Sequence, residues 1–257
     1  MGLNLKKSLG QHFLRDENIS RKIVDALQER KIYQLLEVGP GAGALTRYLQ
    51  ERDDIKFRAV ELDTEKIDYV LEKMPTMKGR IIHDDFLKME KPFEGHFTIV
   101  GNFPYNISTQ ILFRIIDWRA DIEQMIGMFQ KEVANRAASK EGSKIYGVLS
   151  VLVQAYFQVE YLFDVPPTAF IPPPKVQSAV IRLLPKSSIP SYRSESDFFV
   201  LVKTAFNQRR KTLRNAVRSL FTSEMLKDPI FNKRAEQLSI EEFAQLTHQM
   251  NRNRDHK

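Results

Sequence analysis

The 257-residue sequence contains no cysteine, which excludes disulfide bonds, a thiolate nucleophile and cysteine-ligated zinc or iron–sulfur clusters. Its five histidines are scattered, and none falls in a metal-ligand spacing, so we expect no bound metal. No apolar run approaches the length of a membrane span, and the start of the chain lacks the apolar core of a signal peptide. We therefore expect a cytoplasmic protein without membrane contact.

Acidic residues are missing from the stretch 198–223, although the rest of the chain mixes both signs and the net charge is +7. A charge run is usually a solvated face, but a stretch of one sign on a mixed chain is better explained by contact with phosphates. We therefore predict a nucleic-acid-binding surface in this stretch. Its basic residues are Lys203, Arg209, Arg210, Lys211, Arg214 and Arg218.

Three of these arginines recur at every fourth position beside an apolar stripe, which predicts one continuous helix over 211–221. Further helical patterns occupy 198–206 and 240–250, and the stretch 185–191 has the composition of a linker. The sequence therefore predicts a smaller all-helical domain over 186–257.

Apolar runs alternate with helical patterns through residues 1–185, which predicts an α/β domain with a largely parallel sheet. Two of the predicted helices, 131–138 and 148–155, separate the fifth strand from the sixth. The seven predicted strands are 35–38, 57–61, 80–85, 97–100, 122–128, 157–165 and 178–184.

Three alternate glycines, Gly39, Gly41 and Gly43, follow the first predicted strand. Glycine allows a sharp turn and a close approach of the backbone to a ligand. The spacing differs from the Gly-x-Gly-x-x-Gly of dinucleotide folds, and no basic cluster nearby suggests a pyrophosphate, which argues against NAD and ATP. Glu61 ends the second strand about 20 residues later, where ribose hydroxyls are usually held. Together these residues predict a nucleoside-cofactor site, although each alone is compatible with a simple turn or a solvated strand end.

Asp85 follows the third predicted strand, where it either accepts from the amino group of a cofactor adenine or forms an Asx turn. The carboxyl ends of parallel strands line one edge of a sheet. We therefore expect Gly39, Glu61, Asp85 and Asn102 to converge on one crevice.

The stretch Asn102-Phe103-Pro104-Tyr105 lies between an apolar strand and a helical pattern. The Asn102 side chain and the Pro104 carbonyl are hydrogen-bond acceptors, and Tyr105 offers a flat face for stacking. Two acceptors beside an aromatic face suit the exocyclic amine of a stacked base, whose lone pair they would release from the ring. A turn that merely ends a strand remains the alternative.

Two other segments allow both a functional and a structural interpretation. Residues 8–14 are too short and mixed for an element of their own, and the residues alone favour a frayed basic terminus. The proline-dense stretch 165–176 is incompatible with a helix or a central strand. It either holds Phe170 opposite Tyr105 across a flipped base or anchors a loop in the core.

The chain resembles the ribosomal RNA small-subunit adenine dimethyltransferases along nearly its whole length. Six motifs in the same order carry the resemblance: Gly10–Leu14, Glu37–Gly41, Val60–Asp63, Asn102–Ser108, Phe170–Val176 and Phe206–Thr212. It implies a Rossmann-like class I S-adenosylmethionine-dependent methyltransferase sheet over 1–185 and an RNA-binding domain over 186–257.

The resemblance also implies roles for individual residues. The cofactor contacts would be His12, Leu14, Gly39, Gly41, Glu61, Asp85 and Asn102, with Glu61 on the ribose and Asp85 on the adenine. Asn102 and the Pro104 carbonyl would bind the target amine, while Tyr105 and Phe170 would sandwich the base. Contacts to RNA would come from Arg209, Arg210, Lys211 and Arg214. His12 stands where the family often has Asn, and Phe103 stands where Leu is commoner, a change that we expect to be silent.

The implied activity is transfer of methyl groups from S-adenosylmethionine to N6 of two adjacent adenosines near the 3′ end of small-subunit rRNA. The expected partner is that RNA within an immature small subunit, bound by a monomer. Three alternatives remain: a large-subunit enzyme with the same tetrapeptide, a nucleic-acid-binding assembly factor without catalysis, and a dehydrogenase, which the glycine spacing disfavours.

Overall fold

The computed structural model describes residues 12–28 and 31–251. Its strands and α-helices, in chain order, are β1 Phe13–Leu14, α1 Glu17–Gln28, β2 Gln34–Val38, α2 Thr46–Leu49, β3 Lys56–Glu61, α3 Thr64–Lys73, β4 Ile81–His83, β5 Phe97–Asn102, α4 Ser108–Asp117, β6 Ile122–Gln130, α5 Lys131–Ala138, α6 Val148–Tyr156, β7 Phe157–Val165, β8 Phe170–Ile171, β9 Ser178–Pro185, α7 Glu195–Asn207, α8 Leu213–Ala216 and α9 Ile240–Thr247.

The main sheet has seven strands in the order β4-β3-β2-β5-β6-β9-β7, which confirms the predicted α/β fold. The strands from β4 to β6 pair in parallel, and β9 is antiparallel to β6. The chain moves outward from β2 to β3 and β4, and then returns to place β5 on the other side of β2. Such a reversal opens a crevice at the carboxyl ends of the strands, where ligands bind in open α/β sheets.

Helix α1 covers part of this sheet through a stripe of apolar side chains. Ile19, Ile23, Val24 and Leu27 recur at helical spacing, and all four are buried in the same cluster as strand residues of the sheet. The Asp16 side chain accepts from the backbone N–H groups of Asn18 and Ile19 and thereby caps the first turn of the helix.

A second, two-stranded sheet joins β1 to β8, and the sequence did not predict it. Phe13 pairs with Ile171 and Leu14 with Phe170, in antiparallel register. The Ala169 carbonyl also accepts from the backbone N–H groups of Arg15 and Asp16, at 2.8 and 3.2 Å. The expectation that residues 8–14 form no element was therefore wrong at Phe13 and Leu14, whereas residues 8–11 lie outside the described part of the chain. Phe170 and Ile171 belong to an edge ladder, which the exclusion of a central strand in 165–176 allows. A two-residue ladder is too short for a periodic pattern, and its partners are distant in sequence.

The chain divides into two compact units. Among the described residues, the first contains those up to Ala134 together with Gln158–Pro185, and the second contains Asn135–Phe157 together with those from Lys186 onward. The sequence-based division placed all of 1–185 in one domain, whereas the structure groups Asn135–Phe157 with the C-terminal helices. In the second unit α6 is apolar on nearly all sides and packs against α7 and α9. Its apolar run predicted a helix correctly but carried no information about the unit that buries it.

The predicted helix over 211–221 is wrong in extent. Only α8 is helical there, and Arg218 lies beyond its end. The Leu213 N–H donates to the Lys233 carbonyl at 2.7 Å, and Val217 and Leu220 are buried in the turn that follows α8. Tertiary burial of these side chains produces the same apolar spacing as a helix, so the arginine repeat does not form one helical face.

No helix within residues 12–28 and 31–251 is long and apolar enough to cross a membrane. Over the same residues, no group of three or more metal-ligating side chains is close enough to hold an ion.

Two glycines create the space beneath the Asn102–Tyr105 turn. Gly101 of β5 pairs with Gly127 of β6, and the buried ring of Phe103 packs over both. A Cβ added at Gly127 would lie 2.3 Å from Phe103 Cε2. The Phe129 ring also packs against Phe103, with 4.9 Å between the two ring centroids. The ring that follows Asn102 therefore has little freedom to shift.

We predict that Gly127→Ala destabilises the protein by about 1–3 kcal/mol, because the new methyl group forces Phe103 out of a packed site. Denaturant unfolding measures the change. Gly147→Ala is the matched control, since the nearest atom to a Cβ there is 4.0 Å away. Equal stability of the two variants would contradict the packing argument.

Candidate active site

The glycine turn connects β2 to α2 and has a backbone that favours glycine at three positions. Gly39, Gly41 and Gly43 have φ values of 69°, 58° and 80°. The Gly39 N–H donates to the Val60 carbonyl at 2.9 Å, which fixes the turn against the end of β3. The Phe13 ring lies 3.4 Å from the position of a Gly41 Cβ, so β1 closes over the turn.

Glu61, at the end of β3, is only 6% exposed, and one of its two carboxylate oxygens has no hydrogen-bond partner. Its Oε1 accepts from the backbone N–H groups of Leu62 and Asp63, at 3.0 and 3.1 Å, and lies 3.7 Å from Lys66 Nζ. Its Oε2 is buried without a hydrogen-bond partner. An unpaired buried carboxylate oxygen is costly, so its position favours a ligand that brings a donor such as a hydroxyl group.

A cavity of about 650 Å³ opens at this edge of the sheet. Among its lining residues are Gly39, Glu61, Leu62, Asp85, Phe86 and Ile107. Asp85 Oδ1 accepts from the Leu87 N–H at 3.0 Å, so the residue forms the Asx-type turn that was the structural alternative. Asp85 also lines the cavity, and its Oδ2 lies 3.7 Å from Lys88 Nζ.

A smaller cavity of about 80 Å³ adjoins the glycine turn and the Asn102–Tyr105 turn. It brings together most of the residues predicted for the site, and its lining includes His12, Gly39, Gly41, Glu61, Asn102, Pro104 and Tyr105. Of the four strand-end residues expected in one crevice, Gly39, Glu61 and Asn102 line this cavity. Asp85 lines the larger cavity, which shares Gly39 and Glu61 with the smaller one.

The Asn102 amide is oriented by the N-terminal segment. Its Nδ2 donates to the His12 carbonyl at 3.2 Å. This bond leaves Oδ1 as an acceptor, and in the described part of the chain no hydrogen bond reaches it. Asn102 therefore presents a carbonyl oxygen in a cavity that Glu61 and the glycine turn also line.

The Pro104 carbonyl was expected to be a free acceptor, but it is already engaged. It accepts from the Ile107 N–H at 3.3 Å and from the Ser108 hydroxyl at 3.2 Å. Both bonds are long compared with typical hydrogen bonds, so they are weak competitors for a better donor. The Ser108 hydroxyl has a second acceptor in the Tyr105 carbonyl, at 3.1 Å.

Tyr105 is fixed at both ends of its side chain. Its hydroxyl forms a hydrogen bond with Ser178 at the start of β9, and burial raises its pKa above the ordinary value. The His12 ring lies beside it, with 5.5 Å between ring centroids and 32° between planes. His12 Nδ1 in turn donates to the Pro172 carbonyl at 2.8 Å. Sequence reasoning missed Ser178, which nothing in the local pattern distinguishes from an ordinary strand residue.

Phe170 does not lie opposite Tyr105 at an open face. Its side chain is only 2% exposed and belongs to the core cluster that also contains Leu14 and Ile126. The β1–β8 pairing holds it there, since Phe170 is the register partner of Leu14. The buried loop anchor, which was the structural alternative, describes its position in this structure. Leu14 itself borders the glycine turn from the same cluster.

Glu37 is a second buried acid near the glycine turn that the sequence analysis did not select. Burial raises its pKa from 4.5 to about 8, while the Thr46 hydroxyl, which donates to Oε2 at 2.7 Å, partly opposes that rise. It lines a small recess that also includes Gly39, Gly41 and Asn102. An acid inside the apolar strand Gln34–Val38 was the signal that could have identified it.

The predicted RNA contacts lie in the second unit and differ in exposure. Arg209 is partly buried and donates to the Ser143 and Lys144 carbonyls. Arg214 is exposed and donates to the Leu226 carbonyl at 2.9 Å. Arg210 and Lys211 are exposed. The four residues therefore do not form one uniform cationic face.

The strand order, the glycine turn and the acid at the end of β3 define a class I S-adenosylmethionine-dependent methyltransferase fold. A dimethyladenosine transferase from Plasmodium falciparum has this architecture, with a TM-score of 0.75 and 26% identity over 91% of this chain and 96% of that one. The 23S rRNA methyltransferase ErmE matches with a TM-score of 0.68 over 92% of this chain and all of its own, at 24% identity, which supports the fold alone.

The model of the ribosomal RNA adenine dimethylase family matches residues 2–252. A protein of Cytophaga hutchinsonii named ribosomal RNA small subunit methyltransferase A is 49% identical over 95% of this chain and 96% of its own length. Its namesake in Flavobacterium johnsoniae is 50% identical over 94% of each chain. The chain belongs to the ribosomal RNA adenine dimethylase family.

We predict that Glu37 makes stability depend on pH. Its folded-state pKa of about 8 exceeds the ordinary 4.5, so the folded protein binds a proton that the unfolded chain releases between these values. The contribution of Glu37 to stability is complete at low pH and is lost as the pH rises through about 8. The glutamine of Glu37→Gln cannot ionise. The difference in melting temperature between the variant and wild type should therefore shift in favour of the variant as the pH rises from about 5 to about 8.

Calorimetric scans of both proteins across this range measure the difference. Glu94→Gln, which changes an exposed glutamate in a loop, is the control and should differ from wild type by the same amount at each pH. A pH-independent difference for Glu37→Gln would contradict a proton held at this position.

Proposed function

We propose that this protein transfers methyl groups from S-adenosylmethionine to N6 of two adjacent adenosines in the 3′-terminal hairpin of small-subunit rRNA. The product is dimethyladenosine, formed in the cytoplasm during assembly of the small subunit. One observation carries the proposal: Asn102, Pro104 and Tyr105 line the same cavity as Gly39, Gly41 and Glu61. This cavity shares Gly39, Glu61 and Pro104 with the larger one, so a nucleoside-type cofactor site adjoins the acceptors for an amine.

The residues of the larger cavity fit the cofactor. Glu61 Oε2, which is buried and unpaired, is the acceptor for a ribose hydroxyl group. Asp85 borders the same cavity and is the acceptor for the adenine amino group. The glycine turn and His12 border the methionine end. The cofactor supplies an electrophilic methyl group on a sulfonium.

Asn102 and Pro104 prepare the target amine. The amino nitrogen of adenine is a poor nucleophile because its lone pair is delocalised into the ring. Asn102 Oδ1 and the Pro104 carbonyl accept hydrogen bonds from the two N–H groups of this amine. These bonds draw the nitrogen toward tetrahedral geometry, which releases the lone pair. At the Pro104 carbonyl, the target amine replaces the Ile107 N–H and the Ser108 hydroxyl, which donate the two long hydrogen bonds in this structure.

After each transfer the methylated nitrogen would carry a positive charge and would release one proton to solvent, while the broken bond to sulfur would leave the cofactor as a thioether. The monomethylated amine then retains one N–H for the second transfer.

Tyr105 provides the stacking surface for a base that has left its helix. Leaving the stack costs a few kcal/mol, and stacking on an aromatic side chain returns roughly 1–3 kcal/mol. Phe170 contributes a second face only if it leaves the core, so Tyr105 carries most of this contribution.

The partner is small-subunit rRNA within an immature small subunit, and the protein acts on it as a monomer. Exposed cations of the second unit, Arg210, Lys211 and Arg214 among them, contact backbone phosphates.

Mapping of methylated nucleotides tests the proposal directly. The purified protein is incubated with labelled S-adenosylmethionine and with small or large ribosomal subunits that lack the modification. We expect label on two adjacent adenosines of the small subunit alone. Label on a large-subunit adenosine, or no transfer to either subunit, would refute the proposal.

We predict that Asn102→Ala lowers the rate of methyl transfer at least about 100-fold, because one of the two acceptors for the amine is lost. Binding of S-adenosylhomocysteine should weaken far less than the rate of transfer falls, since the cofactor loses one contact but keeps Glu61 and the glycine turn. Single-turnover transfer and calorimetric titration measure the two properties. Asn18→Ala, at an exposed position of α1, is the matched control. Full activity of Asn102→Ala would remove the amide from the mechanism.

A further inference from the structure

Arg209 is oriented differently from its basic neighbours. It is partly buried, and its guanidinium donates from one nitrogen to the carbonyl oxygens of Ser143 and Lys144. Arg210 and Lys211, which follow it, are exposed. A guanidinium that donates to two backbone carbonyls has fewer donors left for a phosphate. The main contact of Arg209 is therefore with the loop that contains these two carbonyls.

That loop, residues 139–145 between α5 and α6, has a second attachment. The Gly142 N–H donates to the Glu236 carbonyl at 2.7 Å, and Gly142 has a φ of 82°. Within the loop the Ser143 N–H donates to the Lys140 carbonyl at 3.3 Å. All of these contacts lie inside the second unit. The loop is therefore an ordered turn that is attached to the rest of its unit on two sides.

The loop presents two exposed lysines. Lys140 and Lys144 are exposed, and neither forms an ion pair with any residue in the described part of the chain. Glu141 is the acid of this loop, and its carboxylate is one of the charges that, after burial, raise the pKa of Tyr146. Because the Arg209 side chain reaches the Lys144 carbonyl, the Lys144 backbone lies within the reach of one arginine side chain from the Arg209 backbone.

We propose that residues 139–145 form a second phosphate-binding segment of the RNA surface and that Arg209 is a positioning residue for it. The occupant is the sugar–phosphate backbone of small-subunit rRNA, as expected from two exposed cations that lie beside two more. The inference rests on the proposed function for the identity of the RNA. It reassigns Arg209 from a direct contact to a support and adds Lys140 and Lys144 to the surface.

Salt dependence of binding separates phosphate contacts from support. Affinity for unmodified small subunits is measured over a range of salt concentrations for wild type and for Lys140→Ala, Lys144→Ala and Arg209→Ala. Each lost phosphate contact lowers the slope of log affinity against log salt by about 0.7–0.9. We expect this decrease for each lysine variant. Lys227→Ala, whose charge is offset by Glu224, is the matched control and should keep the wild-type slope.

Amide hydrogen exchange supplies the readout for Arg209. Arg209→Ala should weaken binding and increase exchange at residues 142–146. Arg209→Lys should restore part of the protection, because its single ammonium nitrogen can also donate to both carbonyls, as Nη2 does here. A decrease in slope with unchanged exchange would make Arg209 a direct phosphate contact and overturn its positioning role.

Other outcomes also decide the question. If the lysine variants keep the wild-type slope and affinity, the loop is not part of the RNA surface. If they bind more weakly at an unchanged slope, the loop contacts a ribosomal protein instead. Either outcome overturns the inference. Failure of the proposed function is separate, because wild type itself would then leave the small subunit unmethylated.

Discussion

Parallel pairing of β2 with β3 and β5 is the constraint on which the site depends. Val38 pairs with Val60, and Glu37 pairs with Val100, so the three strands end at the same edge of the sheet. Gly39, Glu61 and Asn102 are thereby brought together although they are far apart in the sequence. A slip of one residue in either pairing would turn alternate side chains to the opposite face and would separate these groups.

The N-terminal segment and the proline-rich loop complete this edge from outside the main sheet. β1 pairs with β8, the Phe13 ring covers the glycine turn, and the His12 carbonyl orients the Asn102 amide. The ladder is only two residue pairs long, but Leu14 and Phe170 are buried in the core cluster and add to its attachment. These contacts provide a physical reason for a segment that has no pattern of its own.

The main sheet was predictable because its strands are buried, are bounded by turn residues and alternate with helical patterns. The convergence of Gly39, Glu61, Asp85 and Asn102 followed from the fold class alone. Long-range and context-dependent features were not predictable. The β1–β8 ladder, the burial of Phe170 and the Ser178 contact to Tyr105 each join residues distant in sequence, and the arginine repeat at 210–218 has a helical spacing without a continuous helix. The roles taken from the family resemblance rest on motifs, and the geometry adds the orphaned Glu61 oxygen and the engaged Pro104 carbonyl.

The central claim is that two adjoining cavities at one edge of the sheet serve the cofactor and the target amine. A crystal structure of the protein with S-adenosylhomocysteine tests it most directly. The account predicts a ribose hydroxyl group within about 3.2 Å of Glu61 Oε2 and the cofactor sulfur facing Asn102. A nucleoside bound away from the glycine turn, or a sulfur atom separated from Asn102 by core side chains, would contradict it.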